Sequence, residues 1–374
     1  NYNGRMTNAS KRHFAFFITP HGYGHAARAA AVMDFLSELA SGAEFEIFTR
    51  VPAWFFETSL EAPFHYHDVL TDIGLVQTTS MESNLPETVR QLAALMPFQD
   101  HLVKTLARQV REAGCEAVVC DVAALGIAVA REAGLPSFLE ENFTWDWMYQ
   151  GYLDLEPAFA PYVTYLRDLY QSVTYHIRTA PASTGQPPAD LEAGVVSRRP
   201  RTAPDIIRGR LGVPQDIPMI LITMGGIVTQ YPFLDRLAHA GDIRFLVPGG
   251  IDAARNGAYE QHGSLVLIPH HSEFYHPDLT EASNAVIGKL GYSTLAETYS
   301  AGVPFAFIPR QNFPETPSMA RFATTVMNAE ALSEARFFSG DWLDLLPELL
   351  SQPRKKPDRP NGGEEIARFL LAHV

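Results

Sequence analysis

Residues 284–310 have the sequence NAVIGKLGYSTLAETYSAGVPFAFIPR, which predicts a buried strand, a glycine turn, a helix and a second strand. The helix is expected to begin near Ser293 and Thr294, so that its first N–H groups and the positive end of its dipole face the crevice beyond the strand. Gly291 allows a close approach of the backbone, and Lys289 adds a cation. Together these residues predict a site for a diphosphate.

Glu297 lies four residues after Ser293, on the same face of the predicted helix and about one turn along it. Its carboxylate is therefore placed to accept hydrogen bonds from the two hydroxyls of a ribose. An ordinary solvated helix glutamate fits this spacing equally well, and a strand, turn and helix with one glycine are a weak signal on their own.

The beginning of the chain has the same pattern, with the apolar run FAFFIT at 14–19, the loop PHGYGH and the helical pattern ARAAAVMDFLSEL. Further strands are predicted at 44–49, 64–68, 117–121 and 137–140, and helical patterns at 87–112 and 123–133. In the second half, apolar runs begin at Pro218, Ile243, Ser264, Asn284 and Pro304. This alternation predicts an α/β protein with two Rossmann-like sheets.

The segment 180–204 is rich in Pro, Gly, Ser and Arg, as a linker between domains would be. We therefore predict an N-terminal domain at 11–190, a C-terminal domain at 191–360, and a final helix at 361–374 that packs on the N-terminal domain. The residues before 12 are polar and lack the apolar core of a signal peptide, which predicts a cytoplasmic protein.

Two loops of the second half are candidates for contacts with a bound nucleotide. Gly225 and Gly226 end the strand that begins at Pro218, where they either face the cleft between the domains or only form a tight βα turn. His270 and His271 follow the third strand of this half, and we expect them to frame a nucleotide base. A zinc site made of this pair is disfavoured because adjacent histidines rarely converge on one ion.

The loop HGYGH places His21 and His25 beyond the carboxyl edge of the first strand, where open α/β sheets bind ligands. Asp121 ends a strand that lies beside the first one in the usual 3-2-1-4-5 order. We predict a dyad in which Asp121 orients His25, and His25 accepts the proton of an attacking hydroxyl. His21 is the alternative base, and both members of the dyad could instead only cap helices.

Contacts with the molecule that carries the attacking hydroxyl, the acceptor, are expected at the same edge of the first sheet. Arg28 lies three residues after His25 and could contact a substrate anion. Asn142, Trp145 and Asp146 follow the fifth strand, and their aromatic, amide and carboxylate groups suit a sugar or another ring. Packing between the domains would explain these residues equally well.

The composition limits the partners. Lys and Arg number 29 and Asp and Glu number 42, so the net charge is 29 − 42 = −13, which argues against nucleic acid. No stretch is apolar over the roughly 20 residues that a membrane span needs. Cys115 and Cys120 lack the partners of a zinc site and are expected to be core thiols. We predict no metal site and no cofactor, and the oligomeric state is not indicated.

Several segments resemble GT-B glycosyltransferases, above all the glycosyltransferase-like N-terminal region of L-arabinokinases and its bacterial stand-alone relatives. The segments that carry this resemblance are DIGLVQ from Asp72, ENFTWDWMY from Glu141, EFYHPDL from Glu273, GKLGYSTLAE from Gly288 and FPETP from Phe313. The resemblance implies two Rossmann-like domains and a nucleoside-diphosphate-sugar donor, with a pyrimidine base such as uracil preferred.

The resemblance also assigns individual residues. In plant UDP-glycosyltransferases a histidine that binds diphosphate stands where this chain has Lys289, and the turn matching Gly225 lies near the donor phosphates. An acid-amide pair that holds the sugar hydroxyls corresponds here to QNFPE, in which Glu315 is the substitute and Asn312 the second choice. This departure leaves the donor sugar open.

The sequence thus predicts metal-independent, inverting transfer of a sugar from a nucleoside diphosphate to a hydroxyl of a small acceptor. A nucleotide-sugar 2-epimerase has the same double-Rossmann build but needs several acidic groups around the donor sugar. A non-catalytic module that binds a nucleotide sugar is the other alternative.

Overall fold

The computed structural model describes residues 11–79, 81–183, 187–225, 229–255 and 257–374. In the first half, the strands are β1 (His13–Ile18), β2 (Glu44–Thr49), β3 (Phe64–Asp68), β4 (Ala117–Asp121), β5 (Ser137–Glu141), β6 (Tyr175–Ala180) and β7 (Leu191–Val195). They form one parallel sheet in the order β3-β2-β1-β4-β5-β6-β7. The direction of winding changes between β1 and β4, so a crevice opens beyond the ends of these two strands.

The second half forms a second sheet. Its strands are β8 (Met219–Thr223), β9 (Arg244–Ile251), β10 (Glu260–His262), β11 (Leu265–Pro269), β12 (Ala285–Lys289), β13 (Phe305–Ile308) and β14 (Ala329–Ala331). The order is β10-β11-β9-β8-β12-β13-β14, and only the edge pair β10–β11 is antiparallel among the described strands. The predicted α/β class and the predicted strand order are therefore confirmed.

Helices cover both faces of each sheet. The described α-helices are α1 (Gly24–Leu39), α2 (Ala53–Ser59), α3 (Leu85–Leu95), α4 (Asp100–Glu112), α5 (Ala124–Ala133), α6 (Trp145–Gln150), α7 (Ala160–Gln171), α8 (Pro204–Arg210), α9 (Leu234–Ala238), α10 (His276–Ala282), α11 (Tyr292–Ala301), α12 (Thr316–Val326), α13 (Glu334–Ser339), α14 (Leu346–Ser351) and α15 (Gly362–Ala372). Because the sheets are covered on both sides, central strands such as β4 and β8 are buried over their whole length.

The segment 87–112 was predicted as one helical pattern, but the structure divides it into α3 and α4. The reason is Pro97, whose ring disfavours helical backbone at the residue before it. Met96 is accordingly extended, with φ −114° and ψ 142°. The apolar spacing on either side of this break is helical, so the sequence pattern shows the two helices but hides the break between them.

The first sheet extends further along the chain than the predicted boundary at 190, because β7 pairs with β6 as its edge strand. The pattern of this region is obscured by charged residues such as Arg178, which lies within β6. Its side chain is nevertheless buried, since its guanidinium is paired with Glu141 and Glu192. A buried ion pair of this kind makes a strand resemble a polar linker in the sequence.

The C-terminal helix α15 returns to the first half, where it packs against α1 and β7. Ile366, Ala367 and Leu370 are fully buried in the apolar layer between this helix and the first sheet. The N-terminal domain is therefore built from the two ends of the described chain, with the second sheet inserted between them.

Among the described residues, no helix has the length and apolar character needed to cross a membrane. Cys115 and Cys120 are buried free thiols, and burial raises the pKa of both.

The packing of α15 gives a first prediction. We expect Ile366→Ala to lower the free energy of unfolding by about 2–5 kcal/mol, because the substitution leaves a cavity in a fully buried layer. Arg368→Ala, at an exposed position on the same helix, should change it by less than about 0.5 kcal/mol. Urea unfolding followed by tryptophan fluorescence measures both variants, and equal losses would contradict the described packing.

Candidate active site

A cleft lies between the two sheets, where the carboxyl ends of β1, β4 and β5 face those of β8, β12 and β13. Its cavity has a volume of about 610 Å³. The residues that line it are His21, Gly22, Tyr23, Gly24, His25, Arg28, Gln77, Asn142 and Phe143 from the first half, and Gly225, Lys289, Gly291, Tyr292, Ser293, Thr294, Arg310, Phe313 and Glu315 from the second. Candidate base and candidate phosphate-binding residues therefore share one cavity.

The predicted dyad is present in the cleft. His25 Nδ1 lies 2.8 Å from Asp121 Oδ1, and the Asp121 carboxylate is fully buried. Burial opposes ionisation of Asp121, but the charge of Arg28 and the hydrogen bond with His25 outweigh it and lower the pKa of the carboxyl. An ionised Asp121 accepts a hydrogen bond from Nδ1–H, so Nε2 of a neutral His25 is left free to accept a proton.

Arg28 holds Asp121 in place. Its Nε and Nη2 donate to the two carboxylate oxygens at 2.8 and 2.6 Å, and Nη1 donates to Asn142 Oδ1 at 2.6 Å. Its guanidinium also lies over the ring of Tyr292, 4.8 Å from the centroid. The predicted contact of Arg28 with a substrate anion would compete with these internal hydrogen bonds, and it stays a prediction.

Glu140 lies behind this pair and is fully buried, with Oε1 3.7 Å from Arg28 Nε. Burial, together with the charge of Asp121, raises the pKa of Glu140 to about 8. Arg28 is thus the cation that compensates Asp121 and part of Glu140 in a dry region of the sheet.

The surroundings of His21 differ from those of His25. Burial, followed by the nearby charges of Arg310, His25 and Lys289, lowers the pKa of His21 well below its usual value. Its Nδ1 accepts a long hydrogen bond from the backbone N–H of Leu75 at 3.4 Å, which places the proton on Nε2. Between the two candidate bases, the geometry favours His25, and His21 is suited to donate a hydrogen bond.

The predicted acceptor residues are dispersed. Asn142 lines the cleft, but its amide joins the domains, since Nδ2 donates to Glu315 Oε1 at 2.6 Å. Trp145 is buried beneath the histidines, with its ring 5.3 Å from that of His21. Asp146 faces a different cavity, where Arg167 Nε lies 3.4 Å from its carboxylate. Trp145 and Asp146 are therefore not among the residues that line the cleft, and their predicted contact with an acceptor stays a prediction.

The predicted phosphate-binding residues do converge. Gly291 is the N-terminal cap of α11, so the first free N–H groups of this helix lie next to Ser293 and Thr294 in the cleft. The Lys289 side chain is buried, and within the described part of the chain its ammonium group has no hydrogen bond or ion pair. Burial, with a smaller contribution from Arg310, lowers the pKa of Lys289 to about 7.

The glycine turn after β8 lies beside the Lys289 side chain. Gly225 has a φ of +71°, in the region that favours glycine, and a Cβ atom at this position would lie 3.4 Å from Lys289 Cε. Gly226, predicted with it, lies outside the described residues.

A second cavity of about 810 Å³ adjoins the cleft and shares Tyr23, Gly225, Ser293 and Thr294 with it. Its other walls are largely aromatic and include Trp54, Phe55, Phe274 and Tyr275. His270 lines this cavity, whereas His271 stacks on Trp54 at 4.6 Å and is not among its walls. Of the two histidines predicted to frame a base, His270 therefore lines this cavity and His271 lies behind Trp54.

Glu297 is also placed differently from the prediction. Its carboxylate is buried, with Oε1 accepting two hydrogen bonds from Arg198 at 2.7 and 3.0 Å and Oε2 lying 2.6 Å from His276 Nδ1. Arg198 and His276, not Glu297, line the second cavity. The predicted contact with ribose would compete with these bonds, since both oxygens of the carboxylate are already used, and it stays a prediction.

Sequence reasoning missed Arg310 and the aromatic wall of the second cavity. Arg310 follows β13 directly, so the rule that ligands bind beyond the carboxyl ends of strands could have identified it. No such signal existed for Trp54, since it belongs to α2 of the other domain and reaches the cavity only through the domain arrangement. No group of three or more His, Cys, Asp or Glu residues suited to a metal ion occurs among the described residues.

This arrangement can be compared with known proteins. The chain is 26% identical over 380 residues to L-arabinokinase of Arabidopsis thaliana. The matched region covers 97% of this chain but only 35% of that protein. It thus spans about a third of the length of this relative. No protein-family model matches the chain.

Among solved structures, the chain is similar to the glycosyltransferase of kitacinnamycin, with a TM-score of 0.63 and 15% identity, covering 98% of this chain and 100% of that one. It is also similar to the glycosyltransferase SnogD of Streptomyces nogalater (TM-score 0.52, 16% identity, 97% and 99% covered). A third is UGT2 of Phytolacca americana, solved with UDP-2-fluoro-glucose and pterostilbene (TM-score 0.58, 12% identity, 97% and 93% covered). The chain therefore has the GT-B fold of these glycosyltransferases.

The buried pair of Arg28 and Asp121 gives a second prediction. We expect Arg28→Met to lower the free energy of unfolding by about 3–5 kcal/mol, because it leaves Asp121 as an uncompensated buried carboxylate beside the buried Glu140. Arg131→Met, at an exposed position, should have little effect.

The decrease in the free energy of unfolding of Arg28→Met should become smaller as the pH falls. In the variant both carboxyls have a raised pKa in the folded state, so the folded state binds more protons than the unfolded one and gains stability toward low pH. Urea unfolding between pH 5 and pH 9 measures this dependence, and a loss that stays constant over that range would contradict the charge explanation.

Proposed function

We propose that this protein is a metal-independent, inverting glycosyltransferase that moves a sugar from a nucleoside diphosphate to a hydroxyl group of a small acceptor. The observation that carries the proposal is the shared cavity, in which the His25–Asp121 dyad of one domain faces Lys289 and the start of α11 of the other. A base and an anion site on opposite walls are the two elements that such a displacement requires.

The two adjoining cavities suit the two parts of a nucleotide sugar. The aromatic cavity beside Trp54 and His270 would hold the nucleoside, and the cleft would hold the sugar. The residues that both cavities share, including Gly225, Ser293 and Thr294, would then surround the diphosphate. Free N–H groups at a helix start, a close glycine turn and a lysine ammonium are well suited to phosphate.

In the proposed reaction, His25 Nε2 accepts the proton of the acceptor hydroxyl as its oxygen forms a bond to the anomeric carbon. The bond from that carbon to the diphosphate breaks on the opposite face, and its electron pair leaves with the diphosphate. Asp121 stabilises the imidazolium, while Lys289 and the N-terminus of α11 stabilise the charge of the leaving group. These groups supply the charge compensation that a divalent cation gives elsewhere.

The similar proteins support the choice of chemistry. UGT2 of Phytolacca americana was solved with a UDP-sugar analogue and pterostilbene. We propose by this likeness that UDP carries the donor sugar of the present protein. Few carboxylates line the cleft, Glu315 being the one among the described lining residues, which disfavours epimerisation at the donor sugar.

The third prediction concerns the dyad. His25→Ala should lower the transfer rate about 10²- to 10⁴-fold while leaving nucleotide affinity within about twofold, since His25 acts on the acceptor hydroxyl. Asp121→Asn should also slow transfer, and His101→Ala, an exposed histidine of α4, should not.

Release of UDP from a panel of UDP-sugars with hydroxyl acceptors measures these rates. EDTA should leave the wild-type rate unchanged. Full activity of His25→Ala would remove His25 from catalysis. Donor binding by the wild-type protein without transfer to any acceptor would instead favour a module that binds nucleotide sugars without catalysis.

The fourth prediction concerns Lys289, whose pKa is lowered to about 7. An anion binds the protonated ammonium, so binding above pH 7 requires uptake of a proton, and UDP affinity should fall up to tenfold per pH unit. Lys289→Met should bind UDP more weakly and lose this slope.

Calorimetric titration of UDP between pH 7 and pH 8.5 measures both effects, because the β-phosphate of UDP, with a pKa of about 6, is already ionised there. A wild-type affinity that does not change over this range would remove Lys289 from the diphosphate site.

A further inference from the structure

Arg310 is a second buried cation in the cleft, and the mechanism above does not use it. It lies just beyond the end of β13, and its side chain is 7% exposed. The guanidinium carbon lies 3.3 Å from the centroid of the Phe313 ring, so the ring holds the planar group in one orientation.

The guanidinium of Arg310 has no hydrogen bond or ion pair within the part of the chain that the structure describes. Its Nε is buried without a partner. Glu315 is the nearest anion that acts on it, but the Oε1 of this carboxylate already accepts a hydrogen bond from Asn142 at 2.6 Å. A buried guanidinium without a partner is costly, which is the expected state of a site whose anion is a ligand.

Arg310 lies on the cleft side of the proposed diphosphate site. Gly225, Ser293 and Thr294 line both the cleft and the nucleoside cavity, whereas Arg310, like Lys289, lines the cleft but not the nucleoside cavity. Of the charges that act on His21, that of Arg310 is the largest. Arg310 therefore lies on the side of the histidines, where the sugar is transferred.

We propose that Arg310 binds a carboxylate carried by one of the sugar substrates, so that the enzyme acts on an acidic sugar such as a hexuronate. This inference rests on the proposed function, because it assumes that a nucleotide sugar occupies the cleft. A guanidinium offers two parallel N–H groups that match the two oxygens of a carboxylate. The hydroxymethyl group of a neutral hexose has one oxygen and no charge, and it would leave Arg310 unpaired.

The carboxylate could belong to the donor or to the acceptor, and two titrations distinguish these sources. In the first, wild-type protein is titrated with UDP, UDP-glucose, UDP-galactose, UDP-glucuronic acid and UDP-galacturonic acid. In the second, protein saturated with UDP is titrated with glucuronate and with glucose. We expect the acid to bind about 10- to 100-fold more tightly than its neutral counterpart in one of the two titrations.

Three variants test whether Arg310 causes this preference. Arg310→Met should abolish the preference for the acid while leaving the affinity for UDP alone within about twofold, which also shows that the variant is folded. Lys289→Met should weaken UDP and all UDP-sugars by a similar factor and keep the preference. Arg321→Met removes an exposed cation of α12 and should change neither quantity.

The outcomes separate the inference from the function on which it rests. Preference for UDP-uronic acids supports a donor carboxylate, and preference for free glucuronate supports an acceptor carboxylate. Binding of UDP-sugars without any preference for the acid in either titration overturns the inference and leaves the proposed function standing. A loss of UDP affinity in folded Arg310→Met would assign Arg310 to the diphosphate, and failure of every nucleotide to bind would overturn the proposed function itself.

Discussion

The buried contact between Arg28 and Asp121 is the interaction on which the candidate site depends. Asp121 ends β4 with no exposure to water, and it can stay ionised there because Arg28 donates to both of its oxygens. The same guanidinium binds Asn142, whose amide donates to Glu315 of the other domain. One chain of hydrogen bonds therefore connects His25 and Asp121 of the first half with Glu315 of the second.

The wall of the cleft that the second half forms differs in how its cations are paired. Arg28 is satisfied within the protein, whereas Lys289 and Arg310 are buried without a hydrogen bond or ion pair among the described residues. Such cations reduce the stability of the empty protein, and an anionic substrate offsets this cost by pairing with them. The net charge of −13 does not prevent such binding, because the positive groups are concentrated at one point where few carboxylates oppose them.

Much of the fold and part of the site could be predicted because they depend on local patterns. The buried strands are short apolar runs, and the dyad follows from the rule that adjacent parallel strands end at one edge of a sheet. Glu297 and Asp146 show where this reasoning stops. Residue type and helical spacing made Glu297 a ligand of ribose, but Arg198 from the segment between the domains and His276 from α10 already occupy its carboxylate.

The sequence by itself determined the two Rossmann-like sheets, the order of their central strands, and the positions of His25, Asp121, Lys289 and Gly291 at strand ends. These depend on periodicity and on neighbours close along the chain. The tertiary structure alone decided which polar side chains are paired and which remain free, because a partner from a distant segment either reaches them or does not. For that reason Arg28 and Arg310, two arginines that look alike in the sequence, differ in the structure: the first is paired within the protein, and the second has no hydrogen bond or ion pair among the described residues.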